Sequence, residues 1–192
     1  MKIFDRFLIW LQLIVCLILF IIYNKVAKID ELKTNQIHTT LYLDRTFNEE
    51  QKISIIEAAF NWSKATQNII SYDIISLPAK IKNVNKSIIV VNVTQDYPEI
   101  ITLDTLNKTH TVGYYNANGY VKSIWLVSDR LSTFSYKQVM MHELGHSLGI
   151  EHNEGISGVN TLMYPTIDLM SDSITNTDLV KFCKIYKCNL QN

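Results

Sequence analysis

The chain predicts an α+β domain of ordinary size behind a short apolar leader. Three observations carry that prediction. Residues 37–43 alternate with the period of two that marks a half-buried strand. Residues 48–62 place apolar side chains at helical spacing. Two Ile- and Val-rich runs at 69–77 and 87–93 have the composition of buried strands.

The leader comes first. Residues 7–23 are apolar except for Gln12, with Lys2 and Arg6 before them and Lys25 and Lys28 after. As a helix this run spans about 25 Å, the short end of what crosses a bilayer. It is longer than most signal-peptide cores, and Lys25 spoils a small-residue cleavage site ending at Ala27. An uncleaved anchor is therefore favoured over a removed signal. The expected division is a flank at 1–6, a transmembrane signal-anchor or signal peptide at 7–23, a polar tether at 24–36 and a single folded domain at 37–192. Basic residues flank the run on both sides, so the positive-inside rule does not orient it.

Within the domain, a helix starts at Asn48, with Gln51 three residues on as its capping-box partner. Ile55, Ile56, Ala59, Phe60 and Trp62 form its expected apolar stripe. After the two β-rich runs, residues 112–115 and 120–128 read as strands around the turn Asn116-Ala117-Asn118-Gly119. Residues 136–148 read as a helix that buries Val139, Met140, Leu144 and Leu148. Thr175-Asn176-Thr177-Asp178 opens a last helix, with Leu179, Phe182, Cys183 and Tyr186 on its apolar face.

The stretch from His142 to His152 carries the chemistry. It reads His-Glu-x-x-His-x-x-Gly-x-x-His. On a helix, His142 and His146 lie one above the other and can direct both rings at one ion. Glu143 sits beside the first ring, within reach of a water on that ion without ligating it. Gly149 can adopt the left-handed conformation needed to leave the helix sharply, which lets His152 approach from another side. Three neutral nitrogens with a fourth position open is the layout of a catalytic zinc site, not a closed structural one. Three of the five histidines in the chain fall in this stretch.

About ten residues later comes Thr161-Leu162-Met163-Tyr164-Pro165. The eleven-residue motif together with this segment resembles the metzincin zinc proteases, and the Leu-Met-Tyr-Pro wording resembles their matrixin branch. Ala58-Ala59-Phe60-Asn61-Trp62-Ser63 is similar to the first matrixin helix. The resemblance covers nearly everything outside the leader. It implies a twisted, mostly parallel five-stranded sheet with an antiparallel edge strand, an active-site helix, a Met-turn and a C-terminal helix. It also implies one catalytic zinc ion on His142, His146 and His152, with Glu143 as general base and Met163 as the Met-turn residue. Peptide substrate would pair with the edge strand at Gly113, Tyr114 and Tyr115, and Leu162, Tyr164 and Pro165 would wall the pocket beyond the cut. Two departures from matrixins stand out. Ile167 replaces the usual tyrosine after the proline, and near His110 the clustered aspartates of a second metal site are missing. No second zinc is expected, and calcium receives no assignment.

The function this implies is a zinc-dependent endopeptidase acting on protein or peptide substrates. A metzincin-like module that binds proteins with little or no catalysis is the alternative. Its location would be membrane-anchored through residues 7–23 with the domain outside the cytoplasm, or secreted after leader cleavage. A formal net charge of zero argues against a nucleic-acid partner. Four Asn-x-Ser/Thr sites, at Asn61, Asn85, Asn92 and Asn107, carry no weight in so asparagine-rich a chain. Cys16 lies inside the apolar run, so no latency cysteine is visible. Cys183 and Cys188, five apart, are expected as one buried and one free thiol, because a continuous helix would hold them too far apart to bridge.

Overall fold

Strand β1 (Ile37–Leu43) sends Ile37, Leu41 and Leu43 into the main core, as its alternation predicts. The computed structural model describes residues 14–24, 36–81, 84–118, 120–155, 158–188 and 190, with the backbone alone at 133 and 134. Helix α1 (Glu49–Ala65) follows β1. Asn48 caps it: its side chain accepts the Gln51 amide at 2.9 Å, and the Gln51 side chain accepts the Asn48 amide at 2.9 Å. The buried face is Ser54, Ile55, Ala58, Ala59 and Trp62. Ile56 and Phe60, expected in that stripe, are instead 47% and 63% exposed. Positions 55, 58, 59 and 62 share one side of the helix, whereas 56 and 60 fall beyond its rim.

Strands β2 (Ile70–Ser76), β3 (Ser87–Val93), β4 (Gly113–Asn116) and β5 (Lys122–Val127) complete a sheet of order β2-β1-β3-β5-β4. The β1–β2, β1–β3 and β3–β5 pairs are parallel, and β4 joins β5 antiparallel at one edge. This is the α+β sheet that the motifs implied. Between β3 and β4 lies a helix absent from the expected elements, α2 (Pro98–Asn107). Pro98 in its first turn was the available signal. Its apolar residues are not confined to one face, so no helical stripe announced it. Ile100 anchors it to Val93 and Val127 in a second, smaller core.

Helix α3 (Thr133–Ser147) begins three residues before the expected Tyr136, because Ser132 caps it through a 3.3 Å bond from the Ser135 amide. It packs on α1 in the main core. The buried Trp62 indole N–H donates to the Met141 carbonyl at 2.8 Å, fixing α3 one residue before His142. Helix α4 (Asn176–Tyr186) opens on the expected Thr175–Asp178 capping box. It stops at Lys187, which takes a left-handed φ of 52°. That stop corrects the reading of the cysteines. The chain turns back, the Cys183 and Cys188 Cα atoms come within 4.6 Å, and the two form a disulfide.

The chain divides into two compact units, Met1–Gln36 and Ile37–Asn192. In the first, residues 14–24 are helical and exposed. The flank at 1–6, the start of the expected span at 7–13 and the tether at 25–35 lie outside the described residues. Among the described residues, no helix is long and apolar enough to cross a membrane.

Candidate active site

Helix α3 ends where the motif requires. Gly149 has a φ of 82°. Its amide donates to the His146 carbonyl at 2.9 Å, and the Ile150 amide reaches back to the Gly145 carbonyl at 3.0 Å. These two bonds form a Schellman cap, which needs a left-handed residue at position 149. The cap also serves the site. The Ile150 carbonyl it presents accepts the His146 Nδ1–H at 2.9 Å. The Leu162 carbonyl accepts the His142 Nδ1–H at 2.8 Å. With both Nδ1 atoms protonated and held, both Nε2 lone pairs are free to ligate.

Those lone pairs converge. His152 Nε2 lies 3.1 Å from the Nε2 of His142 and 3.1 Å from that of His146. Ligands bound tetrahedrally at about 2.0–2.1 Å would stand about 3.3 Å apart. Three imidazole nitrogens gathered at this spacing suit a shared cation. The donor set and spacing therefore fit a zinc ion. Electrostatics favours the same form of the ligands. Burial lowers the His142 pKa to about 3, with the neighbouring histidines adding to the effect against the Leu162 bond. Burial and His152 lower that of His146 to about 4. Burial also lowers that of His152. All three rings are neutral at physiological pH.

Beneath them lies the turn carrying Met163, which is fully buried. A Cβ on Gly145 would collide with the Met163 sulfur, so a glycine at 145 is what lets the methionine pack against this turn of the helix. Helix α4 holds this floor. Asp178, fully buried, accepts five hydrogen bonds: from the Leu162 and Met163 amides, the Asn153 side chain, and the Thr175 amide and hydroxyl. One turn on, the Lys181 ammonium donates to the carbonyls of Glu151 (3.1 Å) and His152 (3.0 Å). Tyr186 donates to the Leu148 carbonyl at 3.2 Å. The Asn153 amide closes the circuit on the Met163 carbonyl at 2.7 Å.

Glu143 is buried beside the rings, and burial raises its pKa to about 8 against a bond from the Tyr115 amide. Its Oε2 is buried without a hydrogen-bond partner. This polar atom is costly to leave unmatched, as expected where a water belongs. Above it runs the edge strand. Residues 113–116 pair with 126–123 of β5, and the Val127 amide donates to the Val112 carbonyl at 3.0 Å. In an antiparallel ladder, bonded and non-bonded pairs alternate. Val112 and Tyr114 therefore face β5, while the N–H and C=O groups of Gly113 and Tyr115 point away from the sheet. Gly113 lies close over the helix: a Cβ there would stand 2.8 Å from Glu143 Oε1.

A cleft of about 760 Å³ gathers these groups, and His142, Glu143, His146, His152, Gly113, Tyr114, Tyr115 and Pro165 all line it. Tyr164 is not among its lining residues, and Leu162 is fully buried, contributing its backbone instead of a wall. Val139, Ile167 and Met170 supply apolar lining to the same cleft. Sequence reasoning missed Gly145, the network around Asp178, and Lys181. Gly145 could have been found from its place between the two helical ligands. Nothing local marks the other two.

The matrixin family profile (peptidase family M10) matches residues 33–187. No curated protein matches the chain by sequence. Among solved structures it is similar to archaemetzincin from Methanopyrus kandleri, with a TM-score of 0.54 at 12% identity, over 80% of this chain and 97% of that one. It is also similar to high choriolytic enzyme 1, a hatching enzyme zinc-protease of Oryzias latipes, with a TM-score of 0.51 at 12% identity, over 81% and 92% of the two chains. At such identities these likenesses speak for the fold alone. Taken with the profile match over most of its length and the histidine cluster, they establish that the chain belongs to the matrixin family of metzincin zinc metalloproteases.

Proposed function

We propose that the domain is an endopeptidase that cuts extended protein segments laid along β4. The observation that carries this is Glu143, a buried carboxylate with an unmatched oxygen, set between three converging imidazoles and an outward-facing strand edge. Gly113 offers its N–H and C=O, and Tyr115 its C=O, to a peptide added antiparallel to the sheet. His142, His146 and His152 would hold zinc, which when bound supplies Lewis acidity to acidify water and polarise a carbonyl. Glu143 takes the proton of the attacking water at its free oxygen and delivers it to the departing amine. The Tyr115 N–H keeps the other carboxylate oxygen in place. Val139, Ile167 and Met170 receive an apolar side chain next to the cut.

The protein is proposed to work outside the cytoplasm, held at a membrane by residues 7–23. The apolar run supports the anchor, and the Cys183–Cys188 disulfide suits an oxidising compartment. The deciding experiment is digestion of unfolded casein by zinc-loaded protein, with and without chelator, beside Glu143→Gln. Chelator-sensitive cleavage that Glu143→Gln abolishes supports the reading. Zinc-loaded protein that binds casein and leaves it intact points to a binding module.

A further inference from the structure

At one end of the outward-facing edge, its backbone groups are already taken. The Thr111 N–H donates to Asp104 Oδ1 at 2.7 Å, and the Thr111 carbonyl accepts from Arg130 Nη1 at 2.8 Å. Asp104 and Arg130 are themselves paired at 2.8 Å, with side chains only 19% and 16% exposed. Asp104 comes from α2, and Arg130 comes from the turn that leads into α3. Thr111 lies two residues before Gly113, past a bend at Val112 and outside the ladder, where a peptide following β4 would reach next. The ion pair therefore binds Thr111 much as a neighbouring strand would. The end of α2 adds steric closure, since Leu103, Asn107 and Thr109 wall the cleft there.

We propose that Asp104 and Arg130 are specificity-determining residues that cap the substrate-pairing edge at Thr111. A bound peptide is then restricted to Gly113 and Tyr115 and gains nothing from residues that extend past them. This rests on the endopeptidase reading for its peptide, and it adds where pairing stops. In an antiparallel addition the peptide end that reaches Thr111 is its C-terminal one. A strand edge already saturated by side chains offers a further peptide residue no backbone bond, whereas an open edge would.

The test measures binding of labelled peptides of increasing C-terminal length to zinc-loaded Glu143→Gln protein, with cleavage by the wild type as a separate arm. With the cap intact, two residues added beyond the Gly113 pair change Kd less than about twofold. With Asp104→Ala and Arg130→Ala added, the same extension tightens binding about fivefold, because Thr111 is free to pair. Asp104→Asn, which keeps an acceptor for the Thr111 amide, falls between and guards against a variant that fails to fold. Slow amide exchange at Thr111 in the wild type, lost in the double variant, is expected alongside. A wild-type series that keeps tightening past Gly113 overturns the cap, as does a double variant with no gain. Absence of wild-type cleavage overturns the endopeptidase reading while leaving the length dependence to decide the cap.

Discussion

The Met163 sulfur packs so close to Gly145 that any side chain on residue 145 would collide with it. Gly145 thus exchanges helix propensity for a methionine packed against this turn of the helix. Gly145→Ala should gain about 1 kcal/mol of helix propensity. It should lose about 1–3 kcal/mol or more to overpacking, and a fully buried neighbour leaves little room to relax. The expected result is a lower melting temperature and weaker zinc retention. Gly145→Ala combined with Met163→Ala should recover part of the first; no recovery would show that the collision is not the cause.

Asp178 supports the floor through five bonds with no cationic partner among them. Replacing it with alanine leaves buried donors unmatched, each costing about 1–3 kcal/mol. Asp178→Ala should therefore lose at least about 3 kcal/mol and most of its zinc, although it lies outside the cleft. Denaturant unfolding and metal analysis of the same sample check this. Wild-type zinc content would show that the Met-turn stands without it.

The metal-free protein should respond to pH through Glu143. Burial raises its pKa to about 8 from an ordinary value near 4.5. Below 4.5, both folded and unfolded states carry the proton. As pH rises through 4.5 the unfolded chain ionises first, so stability falls up to about pH 8 and then levels, at about 1.4 kcal/mol per unit. Glu143→Gln has no such proton and should be the more stable form at pH 8. Parallel melting curves at pH 5 and 8 that fail to diverge would contradict the assigned burial.

The ligands act with the opposite sign. His142 and His146 resist protonation down to about 3 and 4, while the unfolded chain accepts protons near 6.5. The histidines' own contribution to the metal-free fold is full above pH 6.5 and declines as pH falls through that value. Zinc should also displace few protons. Three ordinary histidines would release about 1.5 protons at pH 6.5. Here calorimetry in buffers of different ionisation enthalpy, run on Glu143→Gln so that the carboxyl contributes no proton, should find clearly fewer.

Reduction of Cys183–Cys188 should be mild. The closed loop is short, worth about 2 kcal/mol in chain entropy, and α4 keeps its core contact through Phe182. Thiol treatment should lower the melting temperature while zinc stays bound.

What could be read from sequence was what is close in sequence. Two ligands a turn apart, a glycine exit and a third ligand form an eleven-residue pattern, and its spacing dictates its geometry. The strand β1 and both capping boxes were legible for the same reason. The supports were not. Asp178 meets Leu162 sixteen residues away, and Tyr186 meets Leu148 across thirty-eight. α2 carried no one-sided apolar stripe, and the disulfide depended on one left-handed residue, Lys187.

The grip of α4 has a bearing on time. Leu148, Glu151, His152, Leu162 and Met163 all lean on residues 178–186. A chain emerging from its N-terminus can build β1 through α3 before any of these braces exists. The loop bearing the third ligand is then unmoored, and the metal has only the two rings of the helix to hold it. On these contacts the third ligand is expected to settle only once α4 has docked.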